Sequence, residues 1–130
     1  MNINNIIFKK SVKKKIIAID IDETLCTNLN PIRAISDYKN SQPIKEMISL
    51  TNQLYKEHYI ILYTARGKLF TKKNTNLQKK LRRITLNQLN DWNVKYHKLN
   101  MNKIFFDIIV DDKSINPSIG IKNLINLLDN

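Results

Sequence analysis

Carboxylates are the side chains of this sequence most able to do chemistry, and their spacing is uneven. Five of the 11 Asp and Glu residues fall in two tight groups, Asp20, Asp22 and Glu23 in one, Asp111 and Asp112 in the other. Negative charges crowded at one point are unfavourable unless a cation or a proton sits between them. Together the two groups describe a hard, oxygen-rich site, which suits Mg²⁺ because that ion takes carboxylates, water and phosphate oxygens. Scarce residues remove competing chemistries. With Gly67 and Gly120 as the only glycines, neither a GxxxxGK[ST] phosphate loop nor a GxGxxG dinucleotide turn can exist. One cysteine, Cys26, leaves no intramolecular disulfide and no multi-cysteine zinc site, and His58 and His97 lie too far apart for an HExxH motif.

Such groups need elements to position them. Ile16 to Ile19 is a mostly β-branched apolar run too short for a helix, hence a buried strand, and it ends on Asp20. The stretch after Thr24 has no sustained period and reads as a loop with a turn of helix. Pro43 then opens a helix with the stripe Ile44, Met47, Ile48, Leu54 and Tyr55, closing near His58. Residues 59–63 (YIILY) form a second buried strand, ending at Thr64. A polar stretch runs through Asn76, and Leu77, Leu81, Ile84, Gln88 and Trp92 mark a helix with Asn93 as its left-handed cap. Val94–His97 and Phe106–Val110 read as two further strands, and a helix through Ile121, Leu124, Ile125 and Leu128 follows.

Strands alternating with helices imply parallel pairs and right-handed crossovers, an α/β layered fold. In such sheets ligands lie at the carboxyl ends of the strands. Three of the four expected strands end in candidate groups there: Asp20 with Asp22, Thr64, and Asp111 with Asp112.

The chain has 130 residues, 42% hydrophobic and 25% charged, which argues for one folded domain over residues 15–130. Residues 1–14 read either as an extra edge strand or as a basic arm. No apolar run approaches the roughly 18 to 20 residues of a membrane span, and we expect a cytoplasmic protein without a signal peptide. The net charge of +11 suits an anionic partner such as nucleic acid. Eighteen of the 22 basic residues are Lys, in a chain also rich in Ile and Asn, so an AT-rich coding sequence explains the charge better than a nucleic-acid partner does. Cys26 reads as a small buried hydrophobe, both histidines as packing or capping groups, and Tyr55, Trp92, Phe105 and Phe106 as core.

Four motifs in order resemble those of the haloacid-dehalogenase-like phosphohydrolases. Asp20-Ile21-Asp22-Glu23-Thr24 is similar to their Asp-x-Asp-x-Thr, Thr64 in YTAR to their strand-end Thr, Lys103 to their Lys, and Asp111-Asp112 to their acidic pair. Glu23 stands where many members carry Gly. IAIDIDETLC, YIILYTARG and FDIIVDDKSIN resemble the small capsule-biosynthesis phosphatases in particular. The resemblance implies a three-layer, Rossmann-like fold with a central, mostly parallel sheet. It also implies a Mg²⁺-dependent phosphomonoesterase acting on a small phosphorylated substrate, a sugar phosphate of capsule or surface-polysaccharide synthesis.

By the same resemblance Asp20 attacks phosphorus to form an aspartyl-phosphate, and Asp22 serves as acid, then base. Mg²⁺ is held by Asp20, the Asp22 backbone carbonyl, Asp111 and Asp112, while Thr64 and Lys103 neutralise the phosphoryl oxygens. Thr24, Ala65 and Arg66 fall on the phosphate or substrate, with Arg66 open to a structural salt bridge and Lys113 or Lys68 able to replace Lys103. The loops after Thr24 and Gly67 are too short for a cap domain, so the site is open, roofed by these loops or by a neighbouring subunit of a homo-oligomer. A protein acting on nucleic-acid ends, or a non-catalytic scaffold, are the competing readings.

Overall fold

Strand β1 (Ile16–Ile19) is followed by two short pieces, β2 (Cys26–Thr27) and β3 (Gln42–Pro43), then helix α1 (Lys45–Tyr55) and strand β4 (Tyr59–Tyr63). Helices α2 (Lys68–Thr71) and α3 (Thr75–Asp91), strand β5 (Lys98–Asn100) and helix α4 (Ile121–Leu128) complete the order, with 3-10 helices at Ile35–Asn40 and Pro117–Ile119. The computed structural model describes residues 13–129. The expected arm or edge strand at 1–14 thus lies, except for Lys13 and Lys14, outside the described residues.

β1, β4 and β5 form a parallel sheet in that order, and β2 and β3 pair antiparallel. The register sets Ile17 beside Ile60 and Ile19 beside Leu62, with Leu99 beyond Leu62, so one face presents a continuous apolar row. Leu50 and Leu54 of α1, Leu89 of α3 and Leu124 and Ile125 of α4 join it in one cluster. Burying each such side chain is worth about 1.5–3 kcal/mol. Two right-handed crossovers that advance the same way across a sheet put both helices on one face. On the other face Ile16 and Ala18 are exposed. Among the described residues, the layer that a three-layer arrangement needs on that side is not filled.

Several expected boundaries move for local reasons. Pro43 does not open α1: it pairs with Cys26 in the β2–β3 ladder, and Ile44 donates its N–H to the Leu25 carbonyl, so the helix starts at Lys45. α3 begins before Leu77 because the Asn74 side chain accepts from Leu77 N at 3.1 Å. Asn93 has φ +56°, the left-handed cap expected of it.

The strand expected at Val94–His97 lies instead at Lys98–Asn100. Val94 N closes α3 on Leu89 O, and Lys95 N is held by the Asn52 side chain, so the ladder starts only at Lys98 beside Ile61. The strand expected at Phe106–Val110 does not form among the described residues: it joins no sheet there, and Ile108 and Val110 are 82% and 97% exposed. No described helix is long and apolar enough to cross a membrane.

Candidate functional site at the ends of β1 and β4

β1 delivers Asp20 at its carboxyl end. Asp20 Oδ1 accepts the N–H of Ile21 at 2.8 Å, and Oδ2 lies 3.5 Å from Lys103 Nζ. Burial, the largest influence, and the neighbouring Asp22 push the Asp20 carboxyl up; the Ile21 N–H and Lys103 oppose them without cancelling the rise. The chain then reverses sharply, with the amides of Thr24, Leu25 and Cys26 all directed at the Ile21 carbonyl. Glu23 takes φ +61° in this turn, a left-handed conformation that favours glycine, and its carboxylate accepts from Asn28 N.

β4 delivers Thr64, which is buried; its Oγ1 accepts from Arg66 N at 2.9 Å, and its carbonyl accepts from Lys103 N at 3.3 Å. That second bond anchors Lys103 between the rings of Tyr63 and Phe106, with Nζ 5.7 and 5.1 Å from their centroids. Gly67 follows with φ +72° and donates to Tyr38 Oη at 3.0 Å. A Cβ here would stand 2.1 Å from Leu81 Cδ2, so the position takes no other residue without repacking.

Arg66 is buried and forms an ion pair with Asp22, its Nε 3.2 Å from both carboxylate oxygens. Nη1 donates to Thr85 Oγ1 and Gln88 Oε1, Nη2 donates to Ser41 Oγ, and the guanidinium lies 4.6 Å from the Tyr38 ring centroid. Gln88 is fixed in turn through Tyr38 O. A buried guanidinium is tolerable only when its donors are satisfied, and here every nitrogen has a partner. Asn28 Nδ2 donates to Asp22 Oδ1 at 3.1 Å. The Cys26 thiol, buried and beside Asp22, is pushed up to about 12, which leaves it inert as a nucleophile at neutral pH.

The sequence-derived residues therefore part company. Asp20, Asp22, Thr64, Ala65 and Arg66 line one pocket, and Lys103 reaches Asp20 beside it. Thr24 lies in the turn just after Asp22 and does not line that pocket. Asp111 and Asp112 are exposed in coil, where the Lys113 N–H on Asp111 Oδ1 holds that carboxyl below the usual range. Among the described residues no three His, Cys, Asp or Glu side chains are grouped to hold a metal. The residues as gathered do not fit the Mg²⁺ site that the resemblance implies, with its ligands from Asp20, Asp22, Asp111 and Asp112, because among the described residues the strand expected to carry two of the acids is unpaired.

The aromatic expectations also divide. Tyr55 and Trp92 pack against the core, whereas Phe105 is exposed and lines the pocket. Sequence reasoning missed Tyr38, Ser41, Thr85 and Gln88. Thr85 and Gln88 carried a signal: they are polar residues on the buried side of α3, where an apolar residue is the default. His97 Nδ1 accepts from Ile60 N at 3.0 Å between the stacked rings of Tyr55 and Tyr59, and His58 Nδ1 accepts from Lys15 N at 3.0 Å, so both histidines are structural.

A parallel sheet crossed by helices on one face, with charged groups at the strand ends, defines a mixed α/β protein of Rossmann-like layout. The chain is similar in fold to the crystal structure of a structural-genomics target from Vibrio cholerae: TM-score 0.72 at 22% identity, covering 89% of this chain and 96% of that one. No protein-family model matches the sequence, and no curated protein matches it either.

Proposed function

We propose that this chain is a phosphomonoesterase with Asp20 as its nucleophile, a member of the haloacid-dehalogenase-like family by its motif order. A small phosphate ester is the substrate, for which the resemblance points to a sugar phosphate of surface-polysaccharide synthesis. One observation carries the reading. At the end of β1 a carboxylate stands 3.5 Å from a lysine ammonium, beside a pocket that also presents the Thr64 hydroxyl.

In the first step an Asp20 oxygen forms a bond to phosphorus while the bond to the ester oxygen breaks, and the departing oxygen takes a proton from Asp22, which enters the step protonated and leaves it as the carboxylate that Arg66 pairs. In the second, water attacks the aspartyl-phosphate, its proton returns to Asp22, and phosphate leaves with Asp20 restored. Lys103 and the Thr64 O–H face the phosphoryl oxygens, where charge gathers in the transition state. Arg66 acts through Asp22, holding its carboxylate in one orientation. Asp20 works ionised, and its carboxyl is raised by burial, so turnover climbs with pH across a range above the ordinary 3.8.

The test is Asp20→Asn assayed on a panel of phosphate esters in Mg²⁺-containing buffer. We expect turnover to fall by at least about 10³-fold with the fold unchanged by circular dichroism, since the amide keeps the shape and loses the nucleophile. Substantial hydrolysis by a sequence-verified Asp20→Asn preparation sinks the assignment.

A further inference from the structure

The pocket has two kinds of wall. Its floor is polar, built from Asp20, Asp22, Thr64 and Arg66, and its mouth is apolar, built from Leu69, Phe70 and Phe105. Leu69 is 59% and Phe105 56% exposed, large hydrophobic side chains left in water at the rim of a charged cavity. Grouped apolar surface of this kind beside a polar floor marks a binding site for a ligand with the same division.

Leu69, Phe70 and Phe105 at the mouth offer no side-chain hydrogen bonds. Deeper in, the Tyr38 hydroxyl accepts from Gly67 N and keeps its own O–H, while the Arg66 donors are taken by Asp22, Thr85, Gln88 and Ser41. Lys68 adds an ammonium to the pocket lining. A sugar carries a hydroxyl on nearly every carbon, and each one moved out of water without a partner costs binding energy. A planar aromatic ring makes no such demand and gains from lying against Phe and Leu. The cavity of about 200 Å³ has room for a phosphoryl group with one ring beside it.

Resting on the phosphomonoesterase reading above, we infer that the substrate is an aryl phosphate, a phosphate monoester of a phenolic ring. Its phosphate lies against Thr64 and Lys103 and its ring against Phe105, Phe70 and Leu69. This replaces the sugar phosphate implied by resemblance with a ligand chosen by the chemistry of the pocket itself.

Binding to the Asp20→Asn variant, read by calorimetry in Mg²⁺-containing buffer, separates the cases. The probes are phenyl phosphate, glucose 6-phosphate and inorganic phosphate. We expect phenyl phosphate to bind about tenfold more tightly than either of the others. Adding Phe105→Ala should remove most of that margin, and Phe105→Tyr, which keeps the ring, should retain it. Phe105 and Leu69 are exposed, so their substitution leaves the core intact, which circular dichroism checks. Glucose 6-phosphate binding as tightly as phenyl phosphate overturns the aryl assignment and leaves the phosphomonoesterase standing. So does a margin that survives Phe105→Ala combined with Leu69→Ala. Binding of none of the three probes by a folded protein overturns both.

Discussion

Residues 59–63 read YIILY and residues 106–110 read FDIIV, two strand-like runs of equal length, each with adjacent isoleucines, with opposite fates. In β4, Ile60 and Leu62 are fully buried, while Ile108 and Val110 stand almost wholly in solvent. β4 has β1 on one side and β5 on the other, with α1 packed against it. Phe106–Val110 has no ladder partner among the described residues. Strand propensity is thus a disposition that pairing and burial must complete. The difference reaches the chemistry: the completed strands deliver Asp20 and Thr64 to one pocket, and the uncompleted one leaves Asp111 and Asp112 outside it.

Stability measures the contrast most directly. Leu62→Ala should cost about 2–5 kcal/mol in urea unfolding, through lost burial and the cavity left behind. Val110→Ser should stay within about 0.5 kcal/mol of the parent, as exposed substitutions do. A comparable loss at Val110 would break the contrast. So would hydrogen-exchange protection of the 106–110 amides on adding Mg²⁺ and phosphate. Among the described residues β1 is an edge strand, and docking there would carry Asp111 toward Asp20.

Two lysines sharpen the contrast on the functional side. Lys103 is tied to β4 through Thr64 O and points at Asp20, whereas Lys113 is exposed beyond the acidic pair. On the phosphomonoesterase reading, Lys103→Ala should lower kcat by on the order of 10²-fold, the usual cost of one preorganised charge-stabilising donor. Lys113→Ala should change it by less than about threefold, both assays being run at matched, saturating Mg²⁺. A larger loss at Lys113 would transfer the phosphate-facing role to the far end of the segment.

The smallest effect concerns how β1 is held. Burial lowers the His58 pKa from its ordinary 6.5, and its neutral ring accepts from Lys15 N at the entrance to β1. With the folded value depressed, the unfolded chain takes up the proton first. The contribution of His58 is therefore complete above about pH 6.5 and declines as pH falls below it. His58→Gln, whose carbonyl can accept the same N–H, should flatten the fall in urea midpoint between pH 7 and 5. An unchanged slope would show that another group sets it.

Much of this protein is legible in short windows of sequence, because the forces involved act locally. The runs IIAI and YIILY, the stripe of α3, the left-handed Asn93 and the acidic turn after β1 are each specified by residues a few positions apart. The scarcity of Gly and Cys excludes whole chemistries without any structure. The rest depends on partners distant in the chain. Asp22 meets Arg66 across 44 positions, and Arg66 meets Ser41, Thr85 and Gln88 across 25, 19 and 22. No local pattern encodes such a meeting, since it forms only once crossovers and helix packing bring the segments together and burial makes each donor find an acceptor. The same holds for the acidic pair: sequence determined that Asp111 and Asp112 follow a strand-like run, and only the tertiary structure decided whether that run had a neighbour to pair with.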